Sequence, residues 1–239
     1  MNKVIKDTPR ARGYFVTGTD TGVGKTLVAS ALVHLHAARG LRSAGMKPVA
    51  SGASFDGERW RNDDADALSA ASNLALPPAL VNPFLFRSAT APHLAAREEG
   101  KHISIDHLER CYRDICAAAE VVIVEGAGGF LVPLDDDHNS DALAARLRLP
   151  AIMVVGIRLG CINHALLTQL AIRAKSLPLA GWVANHIDAD EPYAQAMVES
   201  LTRRIDAPLL GELPWMDATD AGRAAQLLDA AALGLPAVH

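Results

Sequence analysis

Aromatic side chains are scarce in this chain: Phe, Trp and Tyr make up 5% of its 239 residues, so the interior must be aliphatic and alanine-rich. Cysteine is scarcer still. Cys111, Cys116 and Cys161 form an odd set without metal-ligand spacing and read as reduced thiols, the state expected in the cytoplasm. Neither sign of charge dominates, since 23 basic and 27 acidic side chains leave a formal net charge of −4. That balance gives no global electrostatic reason to hold nucleic acid or an anionic membrane, and neither partner is expected. The longest charge-free stretch, residues 67–86, is interrupted by Asn73, Pro77, Pro78, Asn82 and Pro83. It reads as a loop-containing segment, not a membrane helix. The first twelve residues carry Lys3, Lys6, Arg10 and Arg12 but no apolar run, so no secretory signal is expected there.

What is present is an ordinary globular balance, with 50% hydrophobic and 21% charged residues. Short apolar runs alternate with helical patterns along the whole length. Residues 14–17 read as a strand, and a helix over 26–39 follows, stopped by Gly40. Residues 42–47 form a weak second strand ended by Pro48. Helices are expected over 64–73 and 105–119. Residues 121–124 and 151–155 are continuous apolar runs, the mark of strands buried on both faces. Beyond them come a helix over 164–175, a strand over 179–184, and helices over 191–204 and 220–232. A short strand at Leu209 and Leu210 lies between the last two. This alternation predicts an α/β fold, a mostly parallel sheet with helices on both faces. No Gly/Ser linker or internal repeat divides it, so we expect a flexible tail over residues 1–12 and a single domain over 13–239.

The most informative stretch is Y-F-V-T-G-T-D-T-G-V-G-K-T, residues 14–26. A strand enters a glycine-rich turn, and a lysine and a threonine open the next helix. Gly18, Gly22 and Gly24 permit positive φ and let backbone N–H groups crowd around phosphate oxygens. The helix N-terminus adds partial positive charge. Lys25, expected to be exposed to phosphate, can reach the outer phosphates, and the Thr26 hydroxyl can ligate Mg²⁺. Five residues separate Gly18 from Gly24, one more than in the common phosphate loop. A tight turn with an incidental lysine is the plainer alternative.

Residues 121–124 lead directly into Glu125-Gly126-Ala127-Gly128-Gly129. An acid at the carboxyl end of a buried strand stands where a parallel sheet displays its site, although Glu125 could merely cap a turn. Asp64, in R-N-D-D-A-D, is either a metal ligand or part of a solvated helix N-terminus. Lys47, in G-M-K-P-V-A-S-G, either faces the phosphate loop together with Ser51 or snorkels at the surface. The run Asp135-Asp136-Asp137 reads as an exposed turn. Asn163 reads as the N-cap of the helix over 164–175.

Six stretches, G-T-D-T-G-V-G-K-T, K-P-V-A-S-G, V-E-G-A-G-G, L-G-C-I-N-H-A, A-G-W-V-A-N and G-E-L-P-W, together resemble the dethiobiotin synthetase family. They fall in order across nearly the whole chain, and the longer loop spacing is that family's variant. The resemblance implies a P-loop NTPase-type fold and an ATP- and Mg²⁺-dependent ring closure on 7,8-diaminononanoate with CO₂. It implies Lys47 and Lys25 as catalytic residues, and Thr26, Asp64 and Glu125 as Mg²⁺ ligands. Nucleotide contacts are implied for Thr21, Gly22, Val23, Gly24, Lys25, Thr26 and Leu27, and for Asp64, Glu125, Gly126, Ala127 and Gly128. Asn185 with His186 would read adenine, and Leu213, Pro214 and Trp215 would line its pocket. Ser51 and Lys47 would contact the diamine, while Gly160, Cys161 and Asn163 would hold its carboxylate from the second subunit of a homodimer. Read as residues alone, a strand-to-helix turn with a good cap is the alternative for Gly160 to Asn163. A rival class is the partition-type ATPase switch, whose loop carries an extra lysine where this chain has Thr19-Asp20-Thr21. A related amide- or acyl-transferring enzyme is the third reading.

Overall fold

The computed structural model describes residues 12–216 and 220–236. Its elements in chain order begin with β1 (Arg12–Gly18), α1 (Lys25–Ala37), β2 (Ser43–Met46), β3 (Val49–Ala50), β4 (Ser54–Phe55) and β5 (Trp60–Arg61). Next come α2 (Asp63–Ala71), α3 (Pro78–Val81), β6 (Phe84–Leu85), α4 (Pro92–Glu98), α5 (Ile105–Ala118) and β7 (Val121–Gly129). The remainder is α6 (Ser140–Leu147), β8 (Ala151–Ile157), α7 (Cys161–Ala174), β9 (Leu179–His186), α8 (Ala194–Thr202), β10 (Leu209–Leu213) and α9 (Ala221–Gln226).

Six strands make one sheet in the order β10-β9-β8-β1-β7-β2, and every neighbouring pair is parallel. β1 lies at the centre because its residues are apolar on both sides. Val16 packs with Val121, Ile123, Ile152 and Val154 under α1 and α9. Phe15 packs with Met46, Val122 and Val124 under α5 and α6. Farther along the second face, Met153, Val155 and Trp182 pack against α7 and α8. Alternation along each strand thus sends successive side chains into opposite helical layers, the three-layer arrangement that a parallel sheet requires. No helix among the described residues is long and apolar enough to cross a membrane.

Several boundaries differ from those the sequence predicts. β1 starts at Arg12, one residue inside the expected tail, because Arg12 N–H bonds Glu120 O at 2.9 Å. Residues 1–11, 217–219 and 237–239, parts of the expected tail and domain, lie outside the described residues. β7 runs on past Val124 to Gly129, held by pairing of Gly129 with Gly18. α7 opens at Cys161, not at His164, with Gly160 at its N-cap at φ 94°. Asn163 is therefore inside the first turn and is not the cap. α9 stops at Gln226, short of Ala232. There the Asp229 carboxylate accepts the Ala231 and Ala232 N–H groups at 2.9 and 3.1 Å, a side-chain turn that competes with helix. α6 was not expected at all, although Leu143, Ala144 and Leu147 carry a helical pattern into the core.

Candidate active site

The phosphate loop joins β1 to α1 at the carboxyl edge of the sheet. Gly22 and Gly24 have φ of 76° and 87°, so both need the left-handed region. A Cβ on Gly24 would also come within 2.1 Å of the Asn185 amide nitrogen. The first bond of the α1 ladder runs from Val28 N–H to Gly24 O at 3.2 Å. The amides of Lys25, Thr26 and Leu27 lie ahead of that ladder, as an anion site at a helix N-terminus requires. Asp20 organises the turn: its carboxylate accepts Thr21 N–H at 2.7 Å and pairs with Arg158 at 2.5 Å, and its carbonyl accepts from Lys25 Nζ at 3.2 Å. Contrary to expectation, Lys25 is not exposed but buried. Burial, and then the like charge of Lys47, lower its pKa against the pull of Glu125, Asp64 and Asp20.

Four elements converge beside this loop. Thr26 Oγ1 from α1 lies 2.7 Å from Asp64 Oδ1 of α2 and 2.9 Å from Glu125 Oε1 of β7. Lys47 Nζ, one residue past β2, lies 2.7 Å from Asp64 Oδ2 and 2.6 Å from Glu125 Oε1. Lys47 is thus neither at the surface nor snorkelling, and Asp64 is not merely a solvated first turn. Burial alone would lower the Lys47 pKa, but the two carboxylates outweigh it and hold the amine charged. For Asp64, burial is outweighed by Lys47, Thr26 and Lys25, so its pKa falls. Burial dominates at Glu125 and pushes its pKa up.

The donor set fits a divalent cation. A hydroxyl has one hydrogen, so Thr26 donates to only one of its two carboxylate neighbours at a time. The other contact then sets two acceptors face to face, which a cation between them would relieve. Glu125 Oε2 is buried without any hydrogen-bond partner among the described residues. Two carboxylates and a hydroxyl are the protein share expected for Mg²⁺ on a nucleotide, with phosphate and water completing the octahedron. Among the described residues no cluster of three or more His, Cys, Asp or Glu could hold a metal on its own.

These groups line a cleft of about 770 Å³ together with Thr21, Gly22, Gly24, Ser51, Ala127 and Gly128. Ser51 Oγ is buried and has no hydrogen-bond partner among the described residues. Val49, Ala50, Ala89, Ala91 and Pro92 add small apolar surface to the lining, with Thr90 among them. The segment 89–92 was not singled out from sequence, though a proline opening α4 signalled an ordered turn. Asp20 and Arg158 were also missed, because an ion pair between two loops leaves no local pattern.

Other predicted residues stand outside this cleft. Val23 and Leu27 are buried in the core and offer the loop only their backbone. Gly126 lies against the Phe15 ring. Asn185 is buried under the phosphate loop, its Nδ2 donating to Val23 O at 2.9 Å. His186 pairs with Glu212 at 2.8 Å. Leu213 is fully buried in the α1 and α9 layer, so its side chain cannot line an adenine pocket, whereas Pro214 and Trp215 are exposed. Cys161 is buried against Met197, its Sγ 3.7 Å from Sδ, and Asn163 is exposed.

The profile of a family described as an AAA domain matches residues 12–223. Two solved structures share the fold at 15% identity. A ParA family ATPase from Chlorobium tepidum TLS has a TM-score of 0.52, covering 95% of this chain and 92% of that one. The septum site-determining protein MinD of Pyrococcus horikoshii OT3, complexed with Mg-ADP, has a TM-score of 0.55, covering 95% and 87%. The sequence relationship goes further. The chain is 50% identical over 219 residues to the ATP-dependent dethiobiotin synthetase BioD of Janthinobacterium sp. (strain Marseille), covering 90% of this chain and 93% of that protein. With a phosphate loop, two acids and a buried lysine meeting at one cleft, the chain belongs to the ATP-dependent dethiobiotin synthetase family.

Proposed function

We propose that the protein closes the ureido ring of dethiobiotin from 7,8-diaminononanoate, CO₂ and ATP, releasing ADP and phosphate, as a step of biotin biosynthesis. The observation that carries this reading is the junction of Lys47, Thr26, Asp64 and Glu125 beside the phosphate loop. One amine of the substrate adds to CO₂ and loses a proton, giving a carbamate. A carbamate oxygen attacks the γ-phosphorus and ADP leaves, which forms a carbamic-phosphoric anhydride. The second amine attacks the carbonyl carbon, loses a proton and expels phosphate.

The chain's contribution is position and charge. The loop amides and Lys25 would cradle the phosphates. Lys47, held charged within the cleft, would stabilise the carbamate and the charge developing on the phosphoryl group. Ser51, with its unpartnered hydroxyl, would contact the diamine. Thr26, Asp64 and Glu125 would hold Mg²⁺, which supplies charge neutralisation on the phosphates. Asn185 and His186 would lie against adenine, with Pro214, Trp215 and the Leu213 backbone at its edge. Gly160, Cys161 and Asn163 of a second copy would receive the substrate carboxylate, making the enzyme a homodimer. The cytoplasm is its proposed location.

The deciding experiment supplies ATP, Mg²⁺, bicarbonate and the diamine, and follows product by mass spectrometry. A product carrying one added carbonyl, with ADP release dependent on both diamine and bicarbonate, is expected. Hydrolysis stimulated by DNA or lipid and indifferent to the diamine would instead favour a nucleotide switch.

A further inference from the structure

We propose that Asn82 is a positioning residue for the Lys47 ammonium, a role that rests on the catalytic reading of Lys47. Lys47 lies just past β2, the edge strand of the sheet, and the next residue, Pro48, has no N–H. The edge therefore loses a backbone donor just where the lysine needs holding. Segment 81–86 runs alongside and supplies what is missing. Lys47 N–H donates to Val81 O at 2.8 Å, Phe84 N–H to Pro48 O at 3.2 Å, and Phe86 N–H to Ala50 O at 2.9 Å. The link between Lys47 O and this segment comes from a side chain: Asn82 Nδ2 donates to Lys47 O at 2.6 Å and to Phe84 O at 3.2 Å. Both partners are carbonyls, so the amide must present its nitrogen, and its two hydrogens satisfy both.

The consequence is mechanical. The Lys47 side chain is 4% exposed and walled in, so the place of its backbone decides where Nζ ends up. Asn82 is half-buried, 35 positions from Lys47, in the charge-free stretch between α3 and β6. Among the described residues its side-chain amide bonds go to Lys47 and Phe84, and it acts on chemistry only through the lysine.

The test is a double-mutant cycle. Asn82→Ala should lower kcat by roughly ten- to a hundredfold, the scale of a small misplacement of a reacting group. KM for ATP and ADP affinity should stay unchanged, because the phosphate loop is untouched. Lys47→Gln should lower kcat by about a hundredfold or more. The double variant should be no slower than Lys47→Gln, since the amide has nothing left to position. Losses that add in the double variant, or normal turnover of Asn82→Ala beside an impaired Lys47→Gln, would overturn the role of Asn82 and leave that of Lys47 standing. Normal turnover of Lys47→Gln would overturn both. If Asn82→Ala does not fold, the nearly isosteric Asn82→Asp, which sets a carboxylate against the two carbonyls, is judged by the same criteria.

Discussion

Thr26 has one hydroxyl hydrogen and two carboxylate oxygens within 2.9 Å, which makes it the residue at which to test the proposed Mg²⁺ site. Thr26→Val keeps nearly the same volume and removes the hydroxyl proposed as a Mg²⁺ ligand. The Mg²⁺ concentration needed for half-maximal ADP release should rise, and a magnesium titration reads this directly. Lys25→Ala should reduce turnover by roughly a hundredfold or more, the scale of losing one oriented charge. Among the described residues its amine bonds only a loop carbonyl, so circular dichroism should match the parent. Undiminished ADP release would remove the phosphate-loop assignment.

At the scale of elements, α2 connects stability to the proposed metal site. Asn62 caps it, its Oδ1 accepting Ala65 N–H at 3.3 Å, and Asp63, Asp64 and Asp66 fill the first turn. Asn62→Ala should cost about 1 kcal/mol. Because Asp64 sits in the turn that the cap orders, thermal midpoint and Mg²⁺ affinity should fall together, as melting curves with and without metal would report. α1 carries a different liability. His36 is buried with its Nδ1 2.7 Å from Leu32 O. Burial, the main cause, lowers its pKa below 6.5 together with Arg39, against the Leu32 bond. The unfolded chain takes up that proton at about 6.5, the folded chain only below it. The His36 contribution is therefore full above 6.5 and shrinks as pH falls from there toward the folded pKa. Urea midpoints of His36→Gln should lose this part of the pH dependence, and an unchanged slope relative to the parent would refute it.

The whole molecule brings two ends of a long substrate into question. The cleft is lined by phosphate-loop residues, Lys47, Asp64 and Glu125, but Gly160, Cys161 and Asn163 lie outside its lining. If a second copy supplies them, Asn163→Asp and Lys47→Ala homodimers should each be nearly inactive. An acid in the first turn of α7 is compatible with the helix dipole, so Asn163→Asp should fold. Mixed equally and allowed to exchange, half the dimers would be hybrids with one intact site, and activity should return to about a quarter of the parent per total protein. Verified exchange with no recovery would place both residues in one subunit's site.

The phosphate loop, the strands over 121–124 and 151–155, and the parallel alternation were legible because their signals are local. Glycine conformation, a helix opening on G-K-T and unbroken apolar runs are written within a few neighbouring residues. Lys47 and Asp64 were different: each local pattern suited a solvated surface as well as a site. Their meaning came from strand order, which sets β7 beside β2 and closes contacts across 38, 78 and 99 positions. Burial of Lys25 and Leu213, the start of α7 at Cys161, and the Asn82 bond to Lys47 were likewise settled only in three dimensions. Local sequence determines what a backbone segment prefers; which charges leave water together depends on how the layers pack around them.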